Sequence, residues 1–190
     1  TYAGSSVADT VATQFSGDNN VLVGTSAGYR LQTGAANILI GRSAGEGMTT
    51  GTYNVVIGYN AADAMAGASS HNIVIGANAL GTEASAAQDC IAIGTNALLT
   101  QNDASAKNLG IGSGTGQRIT DGTQNVLIGD SAGSTLAGAD DCTAVGYQAL
   151  QDATGSTNTA FGTKAAANVL GGVSNTVVGA AALYSADGDE

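Results

Sequence analysis

Apolar residues in this chain come in runs of three or four that stop at a glycine, and the run recurs ten times. The closing glycines are Gly24, Gly41, Gly58, Gly76, Gly94, Gly112, Gly129, Gly146, Gly162 and Gly179. Their spacings are 17, 17, 18, 18, 18, 17, 17, 16 and 17 residues. Each run is rich in β-branched side chains and too short for a helix, so it predicts a strand. Seventeen residues are too few for a four-stranded propeller blade or a helical repeat, whose periods exceed about thirty. They suit one coil of a β-solenoid whose corners use glycine for positive φ. The expected fold is all-β: a β-solenoid or β-roll of about ten coils of 16–18 residues. Coils stacked about 4.8 Å apart would form a rod roughly 50 Å long. Residues 1–17 read as a degraded first coil, around Gly4, or a lead-in; residues 18–190 carry the repeat.

Aligned on the closing glycine, the units share further columns. Asn stands four residues before it in eight units, as Asn20, Asn37, Asn54, Asn72, Asn108, Asn125, Asn158 and Asn175, with Cys90 and Cys142 in the other two. Ala stands three residues after it in nine units, with Thr115 as the exception. A second glycine follows nine or ten residues on, at Gly34, Gly51, Gly67, Gly122, Gly138, Gly155, Gly172 and Gly188. Stacked Asn side chains can donate and accept from coil to coil, so the column predicts a structural amide ladder rather than a ligand site. Two cysteines three coils apart are about 14 Å from each other at that rise, too far to bridge.

Alternate strand residues face opposite ways. The residue just before the glycine is always branched or aromatic and is assigned to the interior. The residue two before it would then face outward: Leu22, Leu39, Val56, Val74, Ala92, Gly110, Leu127, Ala144, Ala160 and Val177. None of these is polar, and soluble monomers avoid an apolar stripe of that length. The expectation is that this column meets further copies of the chain, as a parallel homotrimer about one axis.

Composition sharpens the exclusions. The chain has 190 residues, 29 of them Gly, no Pro and no Trp, with 43% hydrophobic and 11% charged residues. That is too apolar for a disordered chain. Fifteen acidic residues against five basic ones give a net charge of −10, which argues against nucleic acid as a partner. No apolar run approaches a membrane-spanning helix, so membrane insertion is not expected. The chain opens at Thr1 without a signal peptide and reads as a processed chain or a fragment.

No constellation of catalytic residues stands out, and the chain is not expected to be an enzyme. His71 is the only histidine and reads as a solvated corner residue. Residues 110–116, GIGSGTG, have the glycine spacing of a phosphate loop without its lysine or helix. No cofactor is expected. The acidic residues Asp18, Asp140, Asp141, Asp187, Asp189 and Glu190 are of the type that holds calcium, but solubility is the simpler reason for them. Tyr29, Tyr59, Tyr147 and Tyr184 occupy no single column and read as scattered surface aromatics. An ice-binding face would need a threonine ladder, and the position after the glycine has none.

Units such as NTAFGTKAA, CTAVGYQALQDATGSTNTAFG and SNTVVGAAALYS resemble the NTAxGxxAL repeats of tailed-bacteriophage tail fibres. They are similar also to the heads of trimeric autotransporter adhesins, and IAIGTNAL at 91–98 is closer to that form. The resemblance spans about residues 18–184. It implies a trimeric shaft, in a virion or otherwise extracellular, that spaces a receptor-binding tip. The alternative it implies is a bacterial cell-surface adhesin head or a filament subunit that stacks head to tail. Host-cell surface glycan is a secondary expectation for an external partner, and any contact with it would use the variable corners, such as Tyr29–Gln32, Ala66–His71 and Gly138–Asp141.

Overall fold

The computed structural model describes residues 16–82, 87–103 and 106–186. Each apolar triplet forms a strand: β1 (Val21–Val23), β2 (Ile38–Ile40), β3 (Val55–Ile57), β4 (Ile73–Ile75), β5 (Ile91–Ile93), β6 (Leu109–Ile111), β7 (Val126–Ile128), β8 (Thr143–Val145) and β9 (Thr159–Phe161). Then follow β10 (Asn168–Val169), β11 (Thr176–Val178) and β12 (Ser185–Ala186). Strands β1 to β9 and β11 stack in chain order into one parallel sheet of ten strands, and β10 pairs with β12 in a second, two-stranded sheet. The register is invariant: Leu22 lies on Leu39, Leu39 on Val56 and Val56 on Val74, and so on along the rod. The chain is therefore a β-solenoid, with coils 1 to 9 numbered by β1 to β9 and coil 10 by β11.

Three strand residues per coil cannot by themselves supply a solenoid's hydrogen bonding. The rest comes from two successive tight turns. In coil 1, Ala27 N–H donates to Gly24 O at 3.3 Å and Leu31 N–H donates to Gly28 O at 2.9 Å. Within these turns the backbone alternates between right- and left-handed conformations, with positive φ at the second and fourth residues after the glycine. The alternation directs successive amides along the rod axis in opposite senses. Ser43 N–H donates back to Thr25 O at 2.8 Å, while Gly45 N–H donates forward to Ala61 O at 2.9 Å. A third left-handed position lies five residues before the glycine, where all ten residues, from Asn19 to Ser174, have φ between 46° and 62°. In all, 25 non-glycine residues among those described are left-handed. Each such residue costs roughly 1–2 kcal/mol in isolation, so the conformation persists only because the coil-to-coil ladder fixes it.

The closing glycines have φ between 126° and 143° in all ten coils. A Cβ at Gly94 would stand 2.4 Å from Gly112 O in the next coil, so this column needs glycine both for its backbone and for the close stacking of coils. The second glycine column has another cause. Gly51 is not left-handed, but its Cβ would lie 2.3 Å from Ser69 O and 2.7 Å from the Met48 side chain.

The interior holds six columns: the ladder Asn, the middle strand residue, the third, fourth and seventh residues after the glycine, and the residue seven before it. Large side chains are shared out within a coil. Coils 1, 2 and 7 place Leu in the strand, Gly four residues after the closing glycine and a large residue at the seventh: Leu22, Gly28 and Leu31; Leu39, Gly45 and Met48; Leu127, Gly133 and Leu136. Coils 5 and 8 reverse this, with Ala92 and Leu98, and Ala144 and Leu150. The exchange is steric. A Cβ on Gly133 would meet Leu136 Cδ1 at 2.6 Å and Leu127 Cδ2 at 2.8 Å. A Cβ on Gly110 would meet Leu98 Cγ at 2.9 Å. One filled volume per coil, built two ways, gives the close packing that a chain poor in aromatic residues needs.

Candidate functional surface

Along the rod the buried amides of the ladder spend their side-chain hydrogen bonds internally. Asn37 Oδ1 accepts from Asn54 N–H at 3.0 Å and from Asn54 Nδ2 at 3.0 Å. Asn37 Nδ2 donates to Asn20 Oδ1 at 2.9 Å and to Gly51 O at 2.8 Å. The same arrangement runs through Asn54 and Asn72, resumes at Asn108 and Asn125, and again at Asn158 and Asn175. Asn37, Asn54, Asn72, Asn108, Asn125 and Asn158 are buried. A buried amide with every donor and acceptor taken has nothing left for a ligand.

Cys90 and Cys142 interrupt the ladder. Both are buried thiols, and each still donates its backbone N–H to the preceding Asn Oδ1, at 2.9 Å for Cys90 and 2.8 Å for Cys142. Neither cysteine presents an amide oxygen to the next coil. At Asn108, Gln101 Oε1 takes that place as acceptor for Nδ2; Gln101 is fully buried and donates from Nε2 to Thr120 O at 3.3 Å. At Asn158, Nδ2 donates instead to the carbonyls of Gly155 and Gly172, at 2.8 and 2.6 Å. Burial pushes the Cys142 thiol up from its ordinary range, with backbone donors opposing and Asp140 and Asp141 adding to the rise.

The expected interface column is not on the surface. Leu39, Val56, Val74, Ala92, Leu127, Ala144 and Ala160 are completely buried within a single chain, Val177 is nearly so, Gly110 is buried, and Leu22 packs against the core from the end coil. Side chains of this column fill the solenoid and cannot meet another copy. The alternation is as expected with its phase reversed. Asn20 and Leu22 share a face because they are two residues apart, so the ladder carries the middle strand residue inward with it. The first and third strand residues are the outward ones: Val21 is 39% exposed, Val23 41%, Ile73 38% and Ile128 37%.

The outward face carries larger side chains than the column first assigned to it, and nearly all of them are apolar. Of its twenty positions, seventeen are Val, Ile, Leu or Phe, and only Thr143, Thr159 and Thr176 are polar. It runs over ten strands, so it is roughly 40 Å long at about 4.8 Å per strand. Its apolar area is on the order of 1,000 Å², against about 300–600 Å² for the largest patch of a typical monomer.

The bordering columns carry further exposed aromatics. On the left edge, five residues before the glycine, Tyr53 and His71 stack with ring centroids 5.2 Å apart and planes 16° from parallel. On the right edge, directly after the glycine, the Arg42 guanidinium lies 5.3 Å from the Tyr59 ring centroid. Tyr59 and Tyr147 share that column, while Tyr29 and Tyr184 stand on the turn wall; all four are exposed. Lys164 lies over Tyr184 at 5.7 Å. His71 is thus an exposed corner residue with a ring partner that its sequence position did not reveal.

The remaining candidates stay apart. Asp140 Oδ1 is occupied by the Thr123 N–H at 2.7 Å and the Thr123 hydroxyl at 2.9 Å. Asp187, Asp189, Glu190 and Gly188 lie outside the described residues. Among the described residues, no group of three or more His, Cys, Asp or Glu converges as a metal site would require. No helix among them is long and apolar enough to cross a membrane. A shallow groove on the turn wall is lined by Asp63, Asn78, Gly81, Thr82, Asn96 and Leu99. Burial raises the Asp63 carboxyl above the usual range, opposed by backbone donors and assisted by the neighbouring Glu46. No family model, curated protein or solved structure matches the chain.

Proposed function

We propose that the chain is a structural and adhesive rod, a shaft segment of a tailed-phage tail fibre that spaces or presents a receptor-binding tip. In this reading it works as a parallel homotrimer whose copies bury their outward sheet faces against one another. The observation that carries it is the continuous apolar face along a rod whose interior is filled. A face on the order of 1,000 Å² matches the roughly 800 Å² per partner of a stable protein interface, and it carries no charged side chain. A filled interior leaves function to length, stiffness and surface. A bacterial surface adhesin head is the second reading, favoured by IAIGTNAL at 91–98, and would place the same rod on a cell rather than a virion.

Two measurements test this. Mass photometry of the folded chain should give a species of three times the chain mass, and a stable monomer at nanomolar concentration would sink the assembly. Gold-labelled antibodies against the chain should decorate fibres of tailed particles in the source culture. Label confined to bacterial surfaces would assign the rod to an adhesin instead.

A further inference from the structure

Copies arranged in a closed ring about an axis are related by rotation without rise. The left edge of one outward face then meets the right edge of the next at the same coil height. Most coils bring small or polar residues together there, such as Lys107 with Ser113 and Thr157 with Thr163. Coils 2 to 4 are different. The Tyr53–His71 stack occupies the left edge over coils 3 and 4, and the Arg42–Tyr59 pair occupies the right edge over coils 2 and 3. Tyr53 is 63% exposed and Tyr59 49%, so within one chain each pair leaves much of its ring surface in water.

Resting on the parallel assembly proposed above, we infer that these four side chains form the energetic anchor between copies, the Tyr53–His71 stack of one chain packing against the Arg42–Tyr59 pair of the next. Tyr and Arg beside an apolar floor are the residue types that dominate binding energy at protein interfaces. A guanidinium already over one ring extends the contact through cation–π attraction. The anchor opposes one of the two single-coil slips, and charge opposes the other. A slip of one coil in one sense leaves Tyr53 facing Ala77. A slip in the other sense places Asp141 of one chain against Asp130 of the next, two carboxylates in contact. The partner is thus a second copy of this chain, with two different edges meeting. In an antiparallel pairing, by a two-fold across the rod, like edges would meet with the coil order reversed.

Mixing cysteine variants of the full chain tests the assignment. Tyr53→Cys and Tyr59→Cys, purified separately and combined, should form an intermolecular disulfide under mild oxidation, and neither should cross-link alone. Tyr53→Ala should raise the dissociation constant of the assembly about tenfold or more, whereas Gln124→Ala on the same edge should leave it within about twofold. An equimolar mixture of Tyr53→Ala/His71→Ala with Arg42→Ala/Tyr59→Ala should assemble more tightly than either variant alone, because mixed rings restore intact junctions. Self-cross-linking of Tyr53→Cys would overturn the edge pairing in favour of an antiparallel contact of like edges. An intact oligomer that neither cross-links in the mixture nor weakens with Tyr53→Ala would overturn the anchor while leaving assembly through the face standing. A monomer in mass photometry would remove the assembly and the anchor with it. Loss of glycan binding by Tyr53→Ala, in an oligomer of unchanged affinity, would reassign the cluster to ligand recognition and overturn its role between copies.

Discussion

Leu127 and Ile128 are chain neighbours, both aliphatic, in one three-residue strand. Leu127 is completely buried among Gly116, Gly133 and Leu136, while Ile128 is 37% exposed on the outward face. The two residues show what distinguishes the walls of this rod. The inner wall is defined by exclusion of water within one chain, down to glycines that make room for leucine. The outer wall is nearly as apolar but stays partly exposed within one chain. In a sheet apolar on both faces, hydrophobicity does not separate a core residue from an interface residue, as in parallel sheets buried on both sides.

Substitution of these neighbours gives the largest expected contrast. Leu127→Asp places a carboxylate in the filled interior, a cost no neighbouring cation relieves, and should abolish cooperative folding by circular dichroism. Ile128→Asp should retain the parallel-sheet spectrum while losing the oligomer in sedimentation. The milder Leu127→Ala should cost about 2–5 kcal/mol, the usual range for truncating a buried leucine. Two variants that both fold, or both fail to fold, would contradict the assigned phase of the strand.

That phase was partly legible in the sequence. The closing glycines, strand positions and coil number follow from periodicity alone, and the ten strands lie where the apolar runs end. The inward direction of the Asn column was also legible, because a repeated amide has no reason to recur unless stacked. Asn37 and Leu39 are two residues apart, so fixing one inward fixes the other. Reading apolar size in place of that parity assigned the strand faces the wrong way round. The left-handed columns were less visible. Asn60, Asn78 and Asn96 favour such a backbone, but Leu80, Leu98 and Leu150 do not and adopt it with φ of 49–50° only through the ladder. The Tyr53–His71 and Arg42–Tyr59 pairs join residues 17 or 18 apart and emerge only once the coils are superposed.

The junction where the sheet gives way to the turns sharpens the contrast further. Gly94 sits between the outward Ile93 and the turn wall, with φ 134° and a virtual Cβ 2.4 Å from Gly112 O. Gly94→Ala should cost at least about 1–3 kcal/mol from its backbone conformation alone, and more from displacing the next coil. Thr95→Ala, one residue along on the exposed edge, should change the melting temperature little. Comparable losses for the two would mean that the coils are less tightly stacked than the rod requires.

Polar groups obey the same distinction. Gln101→Leu deprives Asn108 Nδ2 of an acceptor inside the rod and should cost about 1–3 kcal/mol, the usual penalty for an unsatisfied buried donor. Cys90→Asn supplies the missing amide oxygen from the preceding coil, so in that background Gln101→Leu should cost much less. A double-mutant cycle measures the coupling, and additive losses would show that Gln101 does not repair the ladder. The cysteines offer an independent check of the stacking. Cys90 and Cys142 should resist alkylation in the folded rod and react readily in denaturant, and an intrachain bond between them would disprove the register.

The smallest effect belongs to the turn wall. Asp63 carries a carboxyl raised chiefly by burial and secondarily by Glu46. A carboxyl with a folded-state pKa above its unfolded value favours the folded state while protonated. That contribution is lost as pH rises through the folded value. At neutral pH the charged Asp63 is therefore a slight liability, reduced further by solvent screening because the group is only partly covered. Asp63→Asn should raise the melting temperature slightly at pH 7, and the gain should fade as pH falls through the acidic range and wild-type Asp63 becomes neutral. A gain that persisted unchanged at low pH would show that packing of the amide, and not removal of the charge, is the cause. A loss at pH 7 would show that the groove beside Asn78 and Thr82 needs the carboxylate, which no outward residue of the sheet wall does.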